Sequence, residues 1–497
     1  MEKIFQHGIA SGDPLQDRVV LWTRLSVPRH DPIDVTWELA ADAGFKNVIQ
    51  AGETVAHPKH DFTVHVDPAG LQPGTHYYYR FHSLGESSPT GRTKTLPASG
   101  VDHLRFAQVS CAKFNAGFFN AYARIAARDD LDFLLHLGDY IYEAANNPPA
   151  GQTPGADIGR PFNPFHECKT LEDYRARYAQ YHSDPDVQAM HAMLPIISTV
   201  DDHEFADGAW RGGGDVHDEE RDGPWVDRVA RCFRVHNEWL PVRLPDPNDP
   251  QRVYRKVELG GLADIFLINT RTYRDQPLPP PEMNDPNRTE LGQAQREWLF
   301  REFENSKATW RVLGNPSVLS TTWKKDVTEE VKLALLKTKL IAADGLGPDY
   351  DQWDGYPAER GLLFELFRRL RGNIAVLSGD IHVSMAIELH EHPFDTNEQP
   401  VAVEFINTSL TSQNLDDKMK WGYRTESMKY EKGITKAFPH IKYCELDSHG
   451  YNLVDITGER IQVEYWHLET VLERSEKEKL GAVWQVDLGK PKLVRVK

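Results

Sequence analysis

The 497-residue chain has only four cysteines, at positions 111, 168, 232 and 444. Their scattered spacing builds neither a disulfide framework nor a paired zinc pattern. Long apolar runs are missing: no window approaches the roughly 18 consecutive apolar residues that a transmembrane helix needs, so no membrane-spanning segment is expected. Positive charge is scarce, with Lys+Arg 57 against Asp+Glu 74 and a net charge of −17. That argues against general nucleic-acid binding, which requires a basic footprint. The start, MEKIFQHGIASGDP, lacks the apolar stretch of a signal peptide, as expected of a cytoplasmic protein or a mature form without its leader. No internal repeat is found. What the chain does have is a globular balance, 40% hydrophobic and 26% charged residues, with a length that suggests two domains.

Residues 1–98 read as all-β. VVLWTRL (19–25), VTWELA (35–40), FTVHVD (62–67) and HYYYRFH (76–82) are short, β-branched and aromatic, and separated by turn clusters. LQPGTHYYYR is similar to the late strands of a fibronectin type III or immunoglobulin-like β-sandwich, with Tyr77 as a candidate tyrosine corner. The link SSPTGRTKTLPASG (87–100) is the expected boundary. From residue 102 to 497 strands alternate with helices, predicting a second domain of mixed sheets flanked by helices, an α/β sandwich. Helical faces are predicted around Phe118, Tyr122 and Ile125; around Leu171, Tyr174, Tyr178 and Tyr181; and around Leu362, Leu363, Leu366 and Leu370. Further strands are expected at DIFLIN (264–269) and VEFIN (403–407), a terminal hairpin at 481–496, and a solvated helix in the charged run 473–479. The long Gly/Pro-rich loops 146–165, 207–224, 276–288 and 344–357 have the length of lids or binding loops.

The chemistry is concentrated where apolar runs stop. LLHLGDYIYE (134–143) ends a strand at Gly138 and hands over to the carboxylate of Asp139. The pattern returns in RFAQVSC (105–111), IISTVDDHE (196–204), WRVLGNP (310–316) and IAVLSGDIH (374–382). Open α/β sheets bind ligands at the carboxyl ends of their strands. Five strands ending in Asp, Asn, His or Cys therefore predict one metal site along one sheet edge.

In this order the segments resemble the calcineurin-like metallophosphatase pattern, and more closely the PhoD-like alkaline phosphatases. The resemblance rests on HGIASGDP…VVLWTRL, SCAKF, HLGDYIYE, LEDYRARYAQY, DDHEFADGAW, VLGNPSVLS, WDGYPAER and LSGDIHVS, and runs from about His7 to Ser384. It implies a metal-dependent phosphoesterase holding one Fe³⁺ and one or two Ca²⁺. Cys111 and Tyr174 would ligate iron, Asp139 would bridge, Asp380 and His382 would complete the cluster, and Asp354, Asp202 and Asp207 would serve calcium. His203 would be a proton donor or transition-state stabiliser, and Arg175 a phosphate clamp. Each residue also has a plainer reading: Asp139 a helix cap, Tyr174 a core tyrosine, Cys111 an inert buried thiol, His203 a loop brace, Arg175 a surface ion pair, Asp207 a turn residue. The substrate is expected to be a small phosphomonoester or phosphodiester. Activity of a phospholipase D-like kind on phospholipids, or a non-catalytic binding protein with a degenerate second domain, are the alternatives. By resemblance the protein is expected to work outside the cytoplasm, exported folded with its metals. Its oligomeric state, and the role of residues 411–497, have no signature in the sequence.

Overall fold

The computed structural model describes residues 3–148, 155–324, 326–338, 340–342, 345, 347–395 and 397–497, so parts of the expected loops 146–165 and 344–357 fall outside it. Two large sheets form the centre. The first has ten strands in the order Lys490–Arg495, Glu478–Asp487, Arg460–Leu468, Gly450–Thr457, His103–Val109, Leu134–His136, Ile196–Ser198, Ile9–Gly12, Val20–Arg24 and Thr63–Val66. The second has seven, in the order Arg255–Leu259, Ala263–Leu267, Trp310–Asn315, Ile374–Ser378, Ala402–Ile406, Ser384–Leu389 and Ile441–Glu445. Period-two alternation gives each strand two faces, and in the central strands both are apolar. In His103–Val109, Leu104 and Phe106 join one buried cluster while Ala107 and Val109 join another.

The cluster containing Phe106, Leu135, Ile197 and Val454 from the first sheet also contains Ile265, Val312, Leu377 and Phe405 from the second, so the sheets pack face to face. On its other face the first sheet carries the helices Asn120–Ala126, Leu171–His182, Pro185–Met193 and Trp225–Trp239, through Tyr122, Tyr178, Met190 and Phe233. The second is covered by Gln293–Asn305 and Pro357–Leu370, through Leu299, Phe303, Leu363 and Phe367. Helix Leu171–His182 begins with a reciprocal capping box between Thr170 and Asp173, which fixes where its aromatic face starts.

The N-terminal part is strand-rich, as expected, but it is not a separate body. Ile9–Gly12 runs parallel to Ile196–Ser198, with Gly12 opposite Ile196, and Val20–Arg24 and Thr63–Val66 continue the same sheet. The expectation of two units without a common sheet, 1–98 and 102–497, is thereby corrected. The junction is tight: a Cβ on Gly12 would lie 2.6 Å from the Pro241 carbonyl oxygen and 2.7 Å from that of Ile196. It is also apolar, since Trp22 is fully buried against His182 and Trp239, and its indole N–H donates to the Glu238 carbonyl at 2.9 Å. The rest of 1–98 forms a five-stranded sheet over Ile33–Ala40, Val48–Ala56, His76–Ser83, Glu86–Ser87 and Gly91–Lys94. A cluster including Leu21, Val64, Val35, Leu39, Tyr79 and Phe81 lies between it and the edge of the large sheet. The Tyr77 hydroxyl accepts the Gln72 N–H at 2.9 Å, the contact a tyrosine corner makes.

The terminal hairpin is present as Glu478–Asp487 and Lys490–Arg495. The charged run before it is not a helix: it is irregular until Glu478 pairs with Leu468, because sheet pairing and the Tyr451 hydroxyl bond to Glu478, 2.7 Å, outweigh its helical propensity.

Candidate metal centre

All five strands read from the sequence as ending in ligand-type residues are strands. They come from two sheets rather than one. His103–Val109, Leu134–His136 and Ile196–Ser198 are parallel neighbours in the first sheet, and Trp310–Asn315 and Ile374–Ser378 in the second. Their carboxyl ends bring Cys111, Asp139, Asp201, Asp202, His203, Asp380 and His382 together. Three overlapping groups, each with its ligand atoms within 4.8 Å of one another, are Cys111–Asp139–His382, Asp139–Asp202–His203 and Asp139–Asp201–Asp202–Asp380. Asp139 belongs to all three.

The backbone is strained at this place. Cys111, Asp139, Asp380 and His382 have φ of 61°, 55°, 67° and 59°, left-handed values that cost a non-glycine residue about 1–3 kcal/mol each and gather at functional sites. Burial, followed by the charges of Asp139 and Asp380, pushes the Cys111 thiol far up. Burial likewise pushes Asp139, Asp201 and Asp380 above the usual carboxylate range. Acids and a thiol that resist ionisation by themselves are what bound cations relieve. The donor set fits: Asp202 Oδ1 is buried with no hydrogen-bond partner, the carboxylates suit a hard cation, and the thiolate suits a redox metal.

The loops are held from behind. Glu204, fully buried, accepts the N–H of Asp139 at 3.0 Å, of Asp201 at 2.7 Å and of Tyr140, so one carboxylate ties two ligand loops together. Gly138 (φ 97°) lets these loops touch, since a Cβ there would meet the Asp201 Cβ at 2.5 Å. Burial pushes the Glu204 pKa up to about 7, against the pull of those three N–H groups. Glu204→Gln would turn one acceptor into a donor facing N–H groups. It is expected to weaken metal retention about 10–100-fold, the usual effect of losing an outer partner, as measured by chelator titration. His203 Nδ1 lies 2.8 Å from Glu143 Oε2, and its ring lies on Tyr142 with centroids 4.0 Å apart. Burial disfavours its charge, but Glu143, Asp202 and Asp139 outweigh this and hold its pKa well above the usual value.

Not every expected residue arrives. Tyr174 is buried on the core face of its helix, where its hydroxyl donates to the Phe205 carbonyl and receives Arg228 Nε at 3.0 Å. The tyrosine that reaches the cluster is Tyr142, with its hydroxyl 2.9 Å from Asp139 Oδ2 and 3.3 Å from His382 Nε2. Arg175 makes a bidentate pair with Glu238, both bonds 2.8 Å, and bonds the Lys59 carbonyl, away from the cluster. Asp354 is engaged by Arg360, by the Thr321 hydroxyl at 2.9 Å and by the Thr322 N–H. Asp207 donates its N–H to Glu143 at 2.7 Å. Neither Asp354 nor Asp207 joins a ligand group among the described residues. The sequence reading missed Asp201 and the fully buried Arg271. Arg271 pairs with Asp201, with Asp351 at 2.8 Å and with Asp380 at 3.3 Å, so Asp201 already has a cationic partner. Tyr142 carried a signal, three residues after Asp139 in GDYIY; a buried arginine carries none.

Parallel strands from two packed sheets that converge on a shared aspartate within an acid, histidine and thiol cluster define a metal-dependent hydrolase site. The PhoD-like phosphatase family model matches residues 106–465, and that of the PhoD-like phosphatase N-terminal domain matches 1–97. The chain belongs to the PhoD-like phosphatase family and is a phosphoric ester hydrolase. It is 34% identical over 493 residues to the alkaline phosphatase D of Bacillus subtilis (strain 168), covering 94% of this chain and 78% of that one. A solved structure described as PhoD superposes with a TM-score of 0.86 at 32% identity, covering 100% of this chain and 93% of that chain. Among the described residues no helix is long and apolar enough to cross a membrane.

Proposed function

We propose that the protein is an alkaline phosphatase of the PhoD type acting on small phosphomonoesters and phosphodiesters, with iron at Cys111, Asp139, His382 and Tyr142 and calcium at Asp139, Asp202 and Asp380. The observation that carries this is the membership of Asp139 in every ligand group. A single carboxylate shared between adjacent sites is how cations are kept near each other without mutual repulsion. When bound, the cations would neutralise the phosphoryl oxygens and acidify the attacking water.

The chain's own residues supply the remainder. Glu143 takes the Nδ1–H of His203, which leaves Nε2 to hold the mobile proton. As the water oxygen bonds to phosphorus, shedding one proton to solvent, and the ester P–O bond breaks, the Nε2 proton passes to the leaving oxygen, and solvent reprotonates His203 afterwards. The Tyr142 ring under His203 keeps the imidazole from rotating away. We read 1–98 as a fibronectin-like sandwich that borrows one layer from the catalytic α/β sandwich, a reading supported by the cluster between its five-stranded sheet and the large sheet. Work outside the cytoplasm, which the resemblance to this family implies, is our proposal for this chain.

Removing metal with a chelator is expected to abolish hydrolysis of p-nitrophenyl phosphate, with calcium addition restoring it. The fresh protein is expected to be coloured. A phenol with pKa near ~10 ionises at neutral pH only beside a strong cation, and tyrosinate on ferric iron absorbs visible light. Tyr142→Phe should lose the band while Tyr174→Phe keeps it; the reverse pattern, or full activity without metal, would refute the proposal.

A further inference from the structure

Behind the cluster, three side chains, two of them from the tail that the sequence left unread, are arranged as a hydrolytic triad would be. His449 Nε2 lies 3.1 Å from Asp417 Oδ2, and its Nδ1 lies 3.1 Å from Ser409 Oγ. Ser409 is not placed to attack anything. It is fully buried, and its hydroxyl donates to the Ser412 carbonyl at 2.5 Å, with Asn414 Oδ1 3.0 Å away.

What the three side chains do is fix residues 408–414, and this short segment touches the metal-ligand candidates from several sides. The Gln413 carbonyl lies 3.2 Å from His382 Nδ1, which must then carry its proton there and turn Nε2 toward the cluster. The Thr408 hydroxyl, which donates to the Ser448 carbonyl at 2.7 Å, lies 3.3 Å from the His382 carbonyl. The Cys111 carbonyl accepts the N–H groups of Thr411 and Ser412, both at 3.4 Å, and the Ser412 hydroxyl at 3.3 Å. Cys111 and His382 both hold left-handed backbone, which persists only where surrounding contacts over-determine it.

We propose that His449, anchored by Asp417 and acting through Ser409, is a positioning residue for the metal centre that sets the orientation of His382 and Cys111. Burial opposes a charge on His449, but the Asp417 bond and the Asp417 and Asp416 charges raise its pKa, and its two ring nitrogens link Asp417 to Ser409 of the loop. The inference rests on Cys111 and His382 being metal ligands.

The experiment compares wild type with His449→Ala, Ser409→Ala and Asp417→Asn for bound metal, chelator-release rate, the visible spectrum and the kinetics with p-nitrophenyl phosphate. Circular dichroism checks the fold. Metal release about 10–100-fold faster is expected for His449→Ala, with a shifted visible band, a lowered kcat and KM little changed. Ser409→Ala should move the same readouts in the same direction, and it stands in if His449→Ala does not fold. Folded variants that release metal and absorb as wild type does would overturn the proposal while leaving the metal centre intact. A wild type without metal would overturn both. Labelling of Ser409 by a fluorophosphonate would show a nucleophile instead, and would also overturn it.

Discussion

Asp139→Ala is expected to lower kcat by about 10³-fold or more while the protein stays folded. Metal charge supplies several kcal/mol of transition-state stabilisation, and each 1.4 kcal/mol is a factor of ten. Asp139 is the one residue common to the three ligand groups, so its loss affects every cation at once. The fold should not suffer. Its side chain receives the Tyr142 hydroxyl and the His203 N–H, but no strand pairing depends on it, so the cost is confined to its loop, where alanine takes the left-handed φ of 55° less readily than aspartate. Steady-state kinetics with metal analysis and circular dichroism test this. A drop of only a few-fold would reduce Asp139 to a structural residue of its loop, which leads into no helix that it could cap.

Deletion of residues 1–98 is expected to leave no folded, soluble 99–497 fragment. The cut removes three strands of the large sheet and bares the edge of Ile196–Ser198, the strand that leads directly into Asp201 and Asp202. It also uncovers His182 and Trp239, against which Trp22 packs. Loss of one buried tryptophan costs about 3–5 kcal/mol, against a total stability of about 5–15 kcal/mol. Thermal unfolding and gel filtration of the fragment test this; a cooperative transition within a few degrees of the full chain would show that the shared sheet is dispensable.

The strand ends were legible in the sequence because Gly138–Asp139 and Gly379–Asp380 break an apolar run at the point where a ligand projects. That local signal survives into the structure. Long-range arrangement has no such signal. A tyrosine on a helical face reads the same whether it meets a metal or a neighbouring helix, and Tyr174 meets Phe205 and Arg228. Arg175 looked available for phosphate because its partner, Glu238, lies on another helix, Trp225–Trp239. The contributions of 408–414 were invisible for a different reason: several are made by backbone carbonyl and N–H groups, which every residue owns. The link at 87–100 marked a change of strand grammar correctly in composition, yet strand order cannot be read from composition, and three early strands crossed it.

The central strand His103–Val109 pairs on one side with Leu134–His136 and on the other with Gly450–Thr457, so Gln108 waits for a neighbour, Asn452, that comes 344 positions later. Beyond it the strands Arg460–Leu468, Glu478–Asp487 and Lys490–Arg495 complete that flank of the sheet. Growing on the ribosome at about 5–20 residues per second, the chain therefore leaves that edge of its Cys111 strand unpaired for tens of seconds, until residues 450–457 have been made. Non-local pairing of this kind folds slowly and is exposed to aggregation meanwhile. A chain interrupted before residues 450–457 are made therefore leaves its metal-bearing strand without that partner.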